Sequence, residues 1–248
     1  MTHILTPERL RAQLAAATRL LVAEDILDYS GHISARDPLR PDALFIQKGM
    51  SPRATLHPQD VLHVDFDGTI ISGEAGKPPV ELPIHSEIYR ARPDVTAIIH
   101  SHMERAICFT LMKNVSLVPV RARAVRWQSG IPTDPDPSHI KLPAQGRALA
   151  ATLGPHHAAL MRAHGLVLVA ESVPALLVDA VHFDENARAL LNVLQAGAEA
   201  LPLTEEEMEQ INRHEMRPFH VRKLWAYYLE RGHEAGLIPR DWPLAHED

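Results

Sequence analysis

A strand-like apolar run from Ala158 to Val169 leads almost directly into a helix capped by Ser172. That helix repeats apolar residues at Val173, Leu176, Leu177, Ala180, Val181, Ala187, Leu190, Leu191 and Leu194. This junction constrains the fold more than any other feature. The first segment is too apolar to leave a face in water, and the helix carries a stripe that must be covered. A sheet with helices laid on it satisfies both, so the chain reads as α/β.

The remaining segments fit that class. Thr6-Pro7 reads as an N-cap with proline at the first helical position, and the period Leu10, Leu14, Ala17, Leu21 predicts a helix over residues 7–28. Short strands are expected at Gly31–Arg36, Leu44–Gln47 and Val61–Phe66, the last turning through Asp67-Gly68 into Thr69–Ile71. That hairpin makes at least part of the sheet antiparallel. After a Gly/Pro-rich loop at Gly73–Pro79, a helix is expected from Pro83 to Ala91, ending before Pro93. A strand at Val95–His102, a helix at Glu104–Lys113 and a strand near Leu117–Val120 follow. The proline-rich stretch Ile131–Pro143 reads as a loop, and Gln145–Leu153 as a helix. Thr204-Glu205-Glu206-Glu207 has capping-box spacing and opens a C-terminal helical segment and tail over about residues 204–248. No repeat or linker divides the chain, so residues 1–248 are read as one α/β domain.

Composition narrows the function. With 25 Lys+Arg against 31 Asp+Glu, a net charge of −6 and no basic block, nucleic acid and anionic membrane surfaces are poor partners. The apolar stretch Leu14–Ala23 is broken by Thr18 and Arg19, too short to cross a bilayer, and no leader pattern precedes it. The expected location is the cytoplasm. A single cysteine, Cys108, excludes an intrachain disulfide framework and cysteine-cluster zinc sites. Any metal must therefore be held by histidine, of which there are 16, and carboxylate.

His100-Ser101-His102 at a strand end is the sharpest local signal, because residues two apart on a strand project to one face. A surface His-x-His is often incidental. Here His164 precedes Gly165 in another strand, and Glu81 precedes the helix leading to His100. Three imidazoles and a displaceable carboxylate make an open divalent-metal site of the catalytic kind. The rival role for Glu81 is to serve the helix dipole at an N-terminus. No Gly-x-Ser-x-Gly, Gly-rich phosphate loop or His-Glu-x-x-His is present.

Glu81-Leu82-Pro83-Ile84-His85, then Tyr89, Arg92-Pro93-Asp94 and His100-Ser101-His102, resembles the signature of the class II aldolase/adducin family. His164-Gly165 with Ser172 and its helix is similar to a second block, and Ser30–Arg36 to the family's N-terminal Gly-Asn-x-Ser block. The resemblance covers roughly residues 8–200. It implies a three-layer α/β/α fold around a mostly antiparallel sheet, and a homotetramer with sites near subunit interfaces. It also implies one divalent ion per subunit, Zn2+ or Mn2+, with Fe2+, Co2+ or Mg2+ also compatible. By position, His100, His102 and His164 are the implied ligands, and Glu81 the acid/base that can also touch the metal.

Departures from the family pattern bear on substrate. Where sugar-phosphate members have asparagine this chain has His32, and Pro79 and Val80 replace a small polar pair before Glu81. Proline offers no N–H and valine no hydroxyl, so the phosphate cradle is damaged. Arg121, Arg123 and Arg126 occupy the segment where the family's aldolases carry a tyrosine that acts across the interface. Arginine suits an acidic substrate, although alternate arginines can equally be a solvated edge strand. The Ser30–Ser34 block and the run from Ile84 to Val95 look most like the decarboxylase branch, which acts on hydroxylated aromatic carboxylates of pyridine dicarboxylate and dihydroxyphthalate type.

The substrate-binding candidates are His32, Ser34, Arg36, His85, Arg121 and Arg123. Arg36 has a structural alternative, as do His85 and Tyr89 on a packed helix face. His139 and Lys141 could reach in from the proline-rich loop. The expected function is a metal-dependent carbon–carbon lyase that decarboxylates a small carboxylate through a metal-stabilised, enolate-like intermediate. The alternatives are an aldolase or epimerase acting on a hydroxy-carbonyl substrate, and a non-catalytic adducin-like interaction module.

Overall fold

In the computed structural model, which describes residues 5–73 and 75–244, alternation along eight short strands sorts the side chains into two cores. The strands are β1 (His32–Arg36), β2 (Ala43–Gln47), β3 (Val61–Asp65), β4 (Ile70–Ser72), β5 (Ala97–Ser101), β6 (Thr133–Asp134), β7 (Ala158–Met161) and β8 (Gly165–Ala170). They form one sheet in the order β4-β3-β2-β1-β5-β8-β7-β6, antiparallel throughout except for the β6–β7 pair.

On one face, Ile33, Ala35, Phe45, Ala97, Ile99, Leu166 and Leu168 pack against α1 (Pro7–Ala23), α3 (Glu104–Leu111) and α5 (Val173–Gln195), with α7 (Arg217–Glu234) laid against α1 and α5. On the other, Leu44, Ile46, Leu62, Val64, Ile98, Val167 and Val169 meet α2 (Leu82–Ala91) and α4 (Pro143–Leu153). This is the expected three-layer α/β/α arrangement around a mostly antiparallel sheet. The cap signals hold: Thr6, Ser172 and Thr204 each accept a backbone N–H, and Thr204 and Glu207 complete a capping box before α6 (Glu205–Arg213). No helix among the described residues is long and apolar enough to cross a membrane.

Four expectations need correction. The first helix ends at Ala23 rather than residue 28, because Asp25 turns left-handed at φ 56°. Ala158–Val169 is not one strand but the β7–β8 hairpin, reversed at residues 162–164 with Ala163 at φ 54°. Residues 117–120 form no strand. Instead the Asn186 side chain of α5 takes the Val120 N–H (2.9 Å) and donates to the Val118 carbonyl (3.0 Å), substituting for a neighbouring strand. The arginine segment beyond is a 3-10 helix, Ala122–Trp127, because Ala124, Val125 and Trp127 are all buried.

Candidate active site

β1 and β5 pair with His32 opposite His100, so both imidazoles leave the sheet on the α2 side, in register with Ser34 and Ile98. His102 follows β5 immediately, and the β7–β8 turn returns His164 beside it. The ring centroids of His100, His102 and His164 are 4.8–5.4 Å apart. Close approach depends on Gly165: a Cβ there would sit 2.7 Å from the Ser101 carbonyl and 3.0 Å from His100 Cε1. Glu81 enters from the start of α2. Its side chain makes no cap hydrogen bond to the helix, and it points into the histidines instead.

One ligand atom from each of Glu81, His100, His102 and His164 lies within 4.8 Å of the others. Hydrogen bonds set the rings. His100 Nδ1 donates to the Leu166 carbonyl (3.1 Å), and His102 Nδ1 to Asp28 Oδ2 (3.0 Å), which leaves each Nε2 with a lone pair. His100 Nε2 and both His164 nitrogens are buried without a hydrogen-bond partner. Buried nitrogens are seldom left orphaned, and lone pairs converging beside a carboxylate are the donor set for a divalent cation. The residues present therefore fit such an ion.

Electrostatics agree. Burial pushes the His164 imidazolium down to about 4, with His100 adding to the effect, so His164 is neutral and able to ligate. Burial alone would raise the Glu81 carboxyl, but the facing His100 and His164 imidazoles and the Ile140 N–H outweigh it and hold Glu81 at about 2. Glu81 is an anion at rest. Its oxygens lie 3.5 Å from His100 Nε2, 3.6 Å from His164 Nε2 and 4.0 Å from His32 Nε2.

The substrate-binding candidates separate into three groups. His32, His85 and Ser34 adjoin the cluster in one buried file: His32 Nδ1 is 2.7 Å from His85 Nε2, and His85 Nδ1 is 2.6 Å from Ser34 Oγ. Arg36 does not line the site. It lies four residues further along β1, roughly 13 Å away. Its guanidinium is committed to the carbonyls of Pro41, Tyr89, Arg92 and Val95, a brace between β1 and α2. Arg121 and Arg123 also stand apart from the cluster of their own chain, paired with Glu185 (3.3 Å) and Glu215 (2.8 Å).

Three participants were not singled out from sequence. Asp28 orients His102 while its other oxygen accepts the N–H groups of Ser30 and Gly31. The Asp-x-Ser-Gly turn signal is legible, but its partner 74 residues away is not. Arg53 is buried and donates to the carbonyls of Gly31, Gly49 and Ser51, fixing the approach to His32. The Ile140 N–H donates to Glu81 Oε1 (3.1 Å). That contact lays the proline-rich loop over the site, where exposed His139 comes 3.5 Å from the same oxygen.

Residues 12–191 match the family described as Class II Aldolase and Adducin N-terminal domain. The chain belongs to that family. It is 30% identical over 222 residues to a 3,4-dihydroxyphthalate decarboxylase of Rhodococcus jostii, covering 82% of this chain and 88% of the relative. Two solved structures share the fold, each at 22% identity and a TM-score of 0.80. One is an aldolase II superfamily protein from Pseudomonas syringae, with 96% of this chain and 98% of that one covered. The other is an L-fuculose 1-phosphate aldolase from Glaciozyma antarctica, with 97% of each chain covered. Decarboxylases and aldolases are thus among the relatives of this chain, and it is an enzyme of that family.

Proposed function

We propose that the protein is a divalent-metal-dependent carbon–carbon lyase that decarboxylates a hydroxylated aromatic or heteroaromatic carboxylate. The observation that carries this reading is the convergence of His100, His102 and His164 on ionised Glu81, beside a His32 that stands where a phosphate site would need an amide. Similarity to a dihydroxyphthalate decarboxylase supports the substrate class. Pro79 and Val80 before Glu81 supply no phosphate donors from their side chains, which disfavours a sugar phosphate.

His100, His102 and His164 would hold the ion, and when bound it supplies Lewis acidity to neighbouring substrate oxygens. An imidazole and carboxylate set suits Zn2+ or Mn2+. Glu81 begins as the base. It takes the proton of a substrate hydroxyl as the substrate docks, becoming a carboxylic acid in a largely buried pocket. Glu81 then returns its proton to the ring carbon that carries the carboxylate, and the bond to that carboxylate breaks with its electron pair drawn back through the ring onto the deprotonated oxygen as CO2 departs. One proton is borrowed and one is given back. The Ile140 N–H and His139 at the mouth limit water beside Glu81 during the exchange.

In this reading the chain acts as one domain in a homotetramer. Arg121 and Arg123, ion-paired away from their own cluster, could meet substrate only across a subunit interface. The test is to load the protein with Zn2+ or Mn2+ and screen dihydroxybenzoates, hydroxyphthalates and pyridine carboxylates for CO2, with sugar phosphates screened for aldehyde. CO2 release that requires the metal is expected. Aldehyde release alone would establish the aldolase reading, and a protein that takes up no divalent ion would remove both.

A further inference from the structure

Behind His32 the file of hydrogen bonds continues into the core. Beyond His85 and Ser34, Ser34 Oγ lies 2.9 Å from Tyr89 Oη, and Tyr89 Oη lies 3.4 Å from the Thr96 carbonyl. His32, Ser34, His85 and Tyr89 are at most 1% exposed, so bulk water has no access to the links. Each link needs one donor and one acceptor, and the direction of one therefore fixes the direction of all.

The far end supplies that direction. The Thr96 carbonyl only accepts, so with the Tyr89 hydroxyl pointed at it, 3.4 Å away, the Tyr89 oxygen is free to accept from Ser34 at 2.9 Å. Ser34 must then accept from His85 Nδ1–H, and His85 Nε2 from His32 Nδ1–H. His32 is left with a lone pair on Nε2, aimed at the cluster. The 4.0 Å gap between that nitrogen and Glu81 Oε2 agrees, because a protonated Nε2 would close to a charge-assisted bond with the carboxylate.

We propose that Tyr89, acting through Ser34 and His85, holds His32 as its Nδ1–H tautomer, so that Nε2 accepts a hydrogen bond from a hydroxyl of the substrate. This rests on the reading of the cluster as the substrate site. A carboxylate or phosphate oxygen facing Nε2 would instead set two lone pairs against each other. The selected class is an aromatic carboxylate bearing a second free hydroxyl besides the one that Glu81 deprotonates, with the O-methyl ether of that second hydroxyl discriminated against. Tyr89 is a positioning residue, since it is two side chains removed from His32.

The test reads the tautomer directly. Protein labelled with 15N-histidine and loaded with Zn2+ is studied by solid-state NMR, with the His32 signal identified by its loss in His32→Gln. His32 is expected to carry its proton on Nδ1. In Tyr89→Phe the Ser34 hydroxyl loses its acceptor and turns to His85 Nδ1, the file reverses, and the His32 proton moves to Nε2. Ser34→Ala severs the file without removing a core ring, and a mixture of His32 tautomers is expected there even if Tyr89→Phe does not fold. With a hydroxylated substrate, Tyr89→Phe should raise KM about three- to tenfold and change kcat less, the worth of one hydrogen bond. A His32 protonated on Nε2 in the unaltered protein, or a tautomer unmoved in both variants, overturns the proposal. The NMR readout needs no turnover, so an absence of CO2 release from every protein would overturn the decarboxylase reading alone.

Discussion

His102 Nδ1 lies 3.0 Å from the carboxylate of Asp28, across 74 residues of sequence. Burial would raise the Asp28 carboxyl, but the His102 hydrogen bond and the N–H groups of Gly31 and Ser30 prevail and hold it at about 2. One side chain thus ties the turn before β1 to a ring of the cluster, and fixes which nitrogen of that ring faces the other imidazoles. Asp28→Asn keeps the size but weakens that hold. Affinity for Zn2+ is expected to fall about 10- to 100-fold, measured by competition with a chelator. Unchanged affinity would show that His102 is oriented by packing alone.

Glu81→Gln tests the proton step separately from the ion. The three imidazoles remain, so divalent metal content should stay near that of the unaltered protein by elemental analysis. CO2 release should fall by about 10²- to 10⁴-fold, because an amide neither takes nor returns the proton. Normal turnover by this variant would remove Glu81 from the chemistry.

Gly165→Ala tests the close approach beneath the cluster. The added methyl would meet the Ser101 carbonyl at 2.7 Å, and backbone cannot step aside as a flexible side chain can. A destabilisation of about 1–3 kcal/mol is expected from chemical denaturation, together with weakened metal uptake. Wild-type stability would mean that β5 and β8 separate more easily than their pairing implies.

Acid should unfold the protein by charging histidines that are neutral when folded. Burial is the largest cause in each case: it pushes His85 down to about 3, and His157 and His182 to about 4, against an ordinary value of 6.5. Below about 6.5 the unfolded chain binds protons at these positions that the folded protein refuses. Stability is therefore full above that value and lost as the pH falls toward 4, the sense required when the unfolded state holds more protons. The melting temperature at fixed ionic strength should drop steadily across this window. A flat profile down to pH about 4 would contradict the assignment.

What could be read from the sequence depended on how local its cause was. Helix starts were legible at Thr6, Ser172 and Thr204, because a cap acts within three residues. The β3–β4 hairpin was legible from Asp67-Gly68. The β7–β8 turn was not, since its left-handed residue is Ala163, a type with no preference for that conformation. The segment before the 3-10 helix had a strand's composition, but Asn186 on α5 had already taken its backbone groups. Arg36 looked equally fit for substrate or structure, and four carbonyls supplied by separate parts of the chain settled it as a brace.

By itself, the sequence determined the layered class of the fold and named the four residues that meet, Glu81, His100, His102 and His164. Apolar periodicity, caps and the two-residue alternation of a strand are short-range, and they are written in neighbouring residues. Only the tertiary structure decided which nitrogen His100 and His102 present, which carboxylate holds His102, and where the arginines go. Those outcomes rest on single hydrogen bonds between residues tens of positions apart. A hydrogen bond has a direction and a length that only the folded backbone can fix, and at His32 that direction decides whether the site gives a proton or accepts one.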